Sequence, residues 1–133
     1  MSAVYPHIGY ADALHGEFGN ACVAPDVMSV TVTSGQELFT TIRWDRSPAL
    51  PRGLRLVWSH ITGWRRDDPT TGDSQLLPVE TLAAPKVIAA AAALLLTGER
   101  EVPHSEERWV LADQLARCLD AWETGDVLDG EDA

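Results

Sequence analysis

Hydrophobic and polar residues alternate with period two in three stretches of the chain. In Leu54-Arg55-Leu56-Val57-Trp58-Ser59 the even-numbered Leu54, Leu56 and Trp58 fall on one side of an extended strand. Met28, Val30 and Val32 alternate with Ser29, Thr31 and Thr33 in the same way, and Leu38, Thr40, Ile42 and Trp44 alternate with Phe39, Thr41 and Arg43. Burying a Leu or an aromatic side chain stabilises a fold by roughly 1.5–3 kcal/mol, so the even positions mark the core face. Turn-forming residues separate the stretches: Ser34-Gly35-Gln36, then the proline-containing Asp45 to Gly53. The pattern predicts an antiparallel meander with one apolar and one polar face.

Three segments carry helical spacing instead. Ile8, Ala11, Leu14 and Phe18 recur every three to four residues, with Gly19-Asn20 as the stop. Pro85 opens a second helix running to Thr97, with Gly98 as its end. Its Ala89–Leu96 run is apolar all round, which predicts burial on several sides. In the third, Ser105 caps a helix whose first turn holds Glu106 and Glu107 and whose stripe is Trp109, Ala112, Leu115, Ala116, Leu119 and Trp122. Gly125 ends it. Gln75 to Val79 reads as a short edge strand, with Pro78 limiting its pairing. The fold class expected is α+β: four to five antiparallel strands packed on one face by helices, in the order α-β-β-β-β-α-α.

The stretch Leu54–Trp64 forms a hairpin with Gly63 in its turn. A three-residue loop, Ile61 to Gly63, sets Trp64 opposite His60 on the core face. A loop of two or four residues sets it on the outer face, because one slip exchanges every side chain between faces. Burial of Trp64 is the simpler reading. The motif L-x-L-x-W-x4-G-W, carried by Leu54, Leu56, Trp58, Gly63 and Trp64, resembles a domain of unknown function found in small actinobacterial proteins. The likeness covers roughly Ile8 to Trp64. It implies a fold and brings no activity or site residues.

A chain of 133 residues, 45% hydrophobic and 23% charged, suits one globular domain over 1–125, followed by an acidic disordered tail at 126–133. The formal charge of −10 argues against phosphate contacts and hence against nucleic acid as a partner. The most apolar run, Val87 to Leu96, is too short to span a bilayer, and Met1 to Gly16 lacks a secretory pattern. A cytoplasmic protein without membrane contact is expected. Cys22 and Cys118 match no metal or redox spacing, and their apolar neighbourhoods predict two buried free thiols. Asp67–Ser74 is not a calcium loop, because Pro69 stands where a ligand is needed.

No catalytic signature is present among the four histidines, and no metal or cofactor is expected. Charge is unevenly spread. Residues 43–66 hold six Arg (43, 46, 52, 55, 65 and 66) against Asp45, a local charge of +5, whereas residues 99–133 carry −8. Arg43 and Arg55 share the outer face with Phe39. The simplest account is pairing with the acidic helix or tail inside one molecule. The functional account is a partner-binding surface of Phe39, Arg43, Arg55, Trp64, Arg65 and Arg66. The leading expectation is therefore a non-enzymatic protein-interaction or regulatory module with an unknown protein partner, a homodimer included. Alternatives are an acidic, dimeric, secretion-chaperone-like protein, an acidic nucleic-acid mimic, and a small-molecule binder or minor enzyme with a pocket near His60, Trp58 and Trp64.

Overall fold

The computed structural model describes residues 5–33, 36–45, 49–68 and 71–124. Ser34, Gly35, Arg46 and the expected tail at 126–133 lie outside the described residues. The elements are α1 (Ile8–Asn20), β1 (Val27–Val32), β2 (Leu38–Trp44), β3 (Leu54–Ser59), β4 (Gly63–Asp67), β5 (Ser74–Leu76), α2 (Pro85–Leu96) and α3 (Ala112–Thr124). The strands pair antiparallel in sequence order, β1-β2-β3-β4-β5. The fold is α+β, with the fifth strand present at 74–76 rather than over 75–79.

Even-numbered positions do face the helices. Met28, Ile42 and Leu56 lie in one register row, and Val30, Thr40, Trp58 and Trp64 in the next. Of these, Ile42, Leu56, Trp58 and Trp64 join Leu14 and Phe18 of α1, Ile88, Ala92 and Leu95 of α2, and Leu115 and Leu119 of α3 in one core cluster, with Met28 packed against it. The third helix brings Ala112, Leu115 and Leu119 of its apolar stripe to this core, whereas Ala-rich α2 contributes six buried residues.

The β3–β4 loop has three residues, as expected, but they are His60, Ile61 and Thr62. Ser59 pairs with Gly63, and Trp64 stands opposite Trp58 instead of His60. The shift by one whole pair preserves the face, so Trp64 is buried, at 1% exposure. The Ser59 hydroxyl fixes this register. It accepts the Ile61 and Thr62 N–H groups at 3.1 and 3.2 Å and donates to the Glu37 carboxylate. Gly63, at φ +84°, closes the turn in the left-handed region.

The aromatic core is held by its polar atoms. The Trp58 indole N–H donates to Thr81 O at 2.7 Å, and the Tyr10 hydroxyl donates to Ala83 O at 2.5 Å. Tyr10 in turn accepts the Trp64 N–H at 3.3 Å. These bonds pin residues 81–83 as a strap across the core. They also explain a departure from the sequence reading: Ser105 does not cap a helix, and α3 begins only at Ala112. Residues 105–109 run extended beside the strap. Ser105 N–H bonds Pro78 O at 3.0 Å, Ala84 N–H bonds Glu107 O at 3.1 Å, and Trp109 N–H bonds Leu82 O at 2.8 Å. Backbone groups spent across to the strap are not free for a helical turn. The Ser105 hydroxyl accepts from Glu107 N–H at 3.2 Å, a local turn rather than a cap.

Helices α1 and α2 end alike. After α2, Gly98 at φ +97° donates to Leu95 O and Glu99 to Leu94 O. After α1, Cys22 donates to Gly19 O and Val23 to Phe18 O, with Cys22 at φ +60°. Both are Schellman motifs. Cys22 is thus exposed and Cys118 half-buried, not the two buried thiols expected. The chain reversal after α1 puts residue 22 outside the core.

A left-handed non-glycine residue costs roughly 1–2 kcal/mol, which exceeds the roughly 0.4–1 kcal/mol that a glycine adds to unfolded-state freedom. Cys22→Gly is therefore expected to raise the urea midpoint at unchanged m-value, a gain on the order of 0.5–1 kcal/mol. Trp58→Phe, which strands the Thr81 carbonyl in the core, is expected to lower stability by about 1–3 kcal/mol in the same assay.

Candidate functional site

The helices pack on the even face, and the odd face carries no helix among the described residues, although Val57 and Ser59 at its centre are buried by their neighbours. Arg43 and Arg55 are exposed there, and Phe39 is half-buried. Arg65 belongs to the same face, in the row Ser29, Thr41, Val57, Arg65 and Leu76. Trp64 does not: the buried indole is a core residue and no part of a binding surface. Arg66 does not either. One position from Arg65, it turns to the opposite side and lines a recess of about 570 Å³ with Arg100, Asp68 and Asp73.

The arginines find acids, though not in the acidic helix. Arg43 pairs with Asp45 at 3.0 Å, and Arg55 lies 3.8 Å from Asp67. Both pairs are local to the sheet and half or more open to solvent at the arginine, so each contributes at most about 1 kcal/mol. Arg65 has no such ion pair among the described residues, and its Nε is buried without a hydrogen-bond partner.

The two sheet edges differ. β5 is three residues long and runs into Leu77-Pro78. β1 is six residues, Val-Met-Ser-Val-Thr-Val, without charge or proline, and among the described residues it pairs only with β2. Charge, proline and brevity are the usual guards against strand addition. β5 has two of them and β1 none. Whether a strand is central or at an edge is not written in its alternation, so this difference was not readable from the sequence.

At the hairpin end of the sheet two histidines hold the start of β2. His60 Nδ1 accepts the Leu38 N–H at 3.1 Å, and His60 N–H returns to Leu38 O at 3.3 Å. The neutral ring therefore carries its proton on Nε2. His7 is fully buried, stacks on Trp58 at 5.6 Å, and donates from Nε2 to Phe39 O at 3.0 Å. Its Nδ1 has no hydrogen-bond partner among the described residues. Burial pushes the His7 pKa below the ordinary 6.5, and His60 pushes it the same way, against the backbone of Phe39 and Thr31.

A cleft of about 240 Å³ does open beside His60, lined also by Glu80, Thr81, Arg108, Asp120 and Glu123. Trp58 and Trp64 are not among its walls; both are sealed beneath it. Sequence reasoning singled out His60 and missed the carboxylates. Asp120 and Glu123 could have been found, since their spacing from Ala116 puts them on one face of α3. Glu80 had no signal, because only the strap brings it there. Among the described residues no three His, Cys, Asp or Glu side chains are placed to hold a metal ion, and no helix is long and apolar enough to cross a membrane.

No protein-family model matches the chain, no curated protein matches it, and no solved structure matches its fold. Geometry alone carries the functional reading.

Below pH 6.5 an unfolded chain protonates the His7 imidazole while the folded one resists, so folding stability falls as pH drops through that window and is flat above it. One such proton gives a slope of at most about 1.4 kcal/mol per pH unit. Denaturation midpoints measured between pH 5 and pH 8 are expected to show this decline, and His7→Phe to flatten it even at lower overall stability.

Proposed function

We propose that this protein is a non-enzymatic interaction module of the cytoplasm that takes up an extended segment of a partner protein along β1. The reading is carried by one observation, the unguarded six-residue edge of β1. Strand addition draws affinity from main-chain hydrogen bonds and specificity from alternate side chains. On the odd side, such a segment would lie next to Val27, Ser29 and Thr31, with Arg43 and Phe39 one strand further in. A partner with acidic residues at alternate positions suits that neighbourhood, since Arg43 and Arg55 are only weakly engaged by Asp45 and Asp67. An uncharged strand also pairs with its own copy about a two-fold axis without opposing like charges. That makes a homodimer a specific form of the same reading.

A photo-crosslinking residue at Ser29 in the full chain, in its native host, tests it. The expected result is one reproducible adduct, at the mass of either a second copy or one other protein, with β1 amides protected from hydrogen exchange in the complex. The same residue at Leu76, on the opposite edge, should give none. Ser29→Lys with Thr31→Lys, charges of the kind that guard natural edges, should abolish the adduct formed from a crosslinker at Val27 while circular dichroism is unchanged. An adduct insensitive to these lysines, or none from β1, overturns the reading.

A further inference from the structure

The cleft beside His60 is unrelated to β1 and has its own chemistry. It lies between the β3–β4 hairpin, the strap at Glu80–Leu82 and the outer face of α3. Three carboxylates, Glu80, Asp120 and Glu123, and one cation, Arg108, line it. Arg108 is already bound to Asp113 at 2.9 Å, so the cleft itself is electronegative. His60 supplies the second observation. Its side chain is 3% exposed, yet among the described residues Nε2 has no hydrogen-bond partner. Glu123 Oε2 lies 3.4 Å away, within ion-pair range but out of line for a hydrogen bond. Nδ1 is fixed as an acceptor by the Leu38 N–H, so Nε2 carries a proton that looks for an oxygen.

We propose that this cleft binds a compact primary amine bearing an oxygen acceptor three bonds from its nitrogen. The ammonium group sits among the Glu80, Asp120 and Glu123 carboxylates, and the oxygen accepts from His60 Nε2–H. The same tautomer argues against a metal, which would need the Nε2 lone pair that the proton occupies. A volume of about 240 Å³ lies below that of drug-sized pockets, roughly 300–1,000 Å³, so the ligand has few heavy atoms. The formal charge of −10 raises the local concentration of cations at the surface. Two sources share this chemistry, a free amino alcohol and the N-terminal residue of a peptide.

NMR titration of the full chain tests it, following the His60 ring and the amides of Thr81, Ala116 and Asp120. Ethanolamine and glycinamide are the probes, one for each source, and the tighter of the two assigns it. Both should give saturable shifts confined to the cleft. Ethylammonium, which lacks the oxygen, should bind several-fold more weakly, and neutral acetamide should not bind. Asp120→Asn with Glu123→Gln should cut affinity about tenfold, while Glu106→Gln, outside the cleft, should leave it unchanged. Asp120→Asn alone, at an exposed helix position, gives the same reading should the double variant unfold. No saturable shift with either probe, equal binding of ethylammonium or acetamide, or undiminished binding by the folded carboxylate variants overturns the proposal.

Discussion

The Trp58 indole and the Tyr10 hydroxyl reach across the core to the carbonyls of Thr81 and Ala83, and the rest of the molecule is arranged around those two bonds. Each aromatic group contributes a large apolar area and one polar atom that must not be left unpaired. An unsatisfied buried donor costs about 1–3 kcal/mol. Here both donors are satisfied by the backbone of one non-helical segment, which also needs those donors for its own carbonyls. The Trp64 N–H closes the set on Tyr10. The strap is thereby fixed against the sheet, although it has almost no regular structure of its own.

The segment C-terminal to α2 inherits that placement. With one side of the strap turned to the aromatics, its other backbone groups pair with residues 105–109. These residues have helix-compatible side chains, but the strap offers better-placed partners in an extended conformation. The start of α3 is delayed to Ala112, and its C-terminal half comes to lie over the hairpin turn. Trp122 donates to Gln36 O at 2.7 Å, and Glu123 reaches His60. The cleft at His60 is the gap left between strap, hairpin and helix. Glu80 is distant in sequence from Asp120 and Glu123, and it joins them only because the strap holds it there.

Placing the described helices on one face leaves the other without a helix, covered only by its own side chains, which bury Val57 and Ser59. Antiparallel sheets tolerate this because the outer positions are polar. Here they are threonine, serine and arginine, with Phe39 and Val57 among them. Of the arginines that give residues 43–66 their positive charge, Arg43 and Arg55 are moderated by Asp45 and Asp67 beside them rather than by the acidic helix. The unusual feature is at the margin: one edge is short and ends at proline, and the other is long, β-branched and uncharged.

The period-two pattern by itself determined which face of β2 and β3 meets the helices, because a strand has only two faces and burial of Leu54, Leu56 and Trp58 chooses between them; that Val57 and Ser59, on the other face, are buried as well was not legible in it. Loop parity left the face of Trp64 open, and only the preference of an indole for the core chose between the two; its partner was not legible either, since parity is blind to a shift by one whole pair. Helix limits at Asn20 and Leu96 were legible because they depend on nearby residues. The tertiary structure alone decided the rest. A cap signal at Ser105 yielded to hydrogen bonds with Pro78, and the αL site after α1 fell on Cys22, which faces solvent. Arg66 was separated from Arg65 by the pleat, and Glu80, Asp120 and Glu123 were gathered around His60. Local sequence fixes what a residue prefers among its neighbours in the chain, whereas pairing between remote backbone groups and the closure of a core decide which preferences are met.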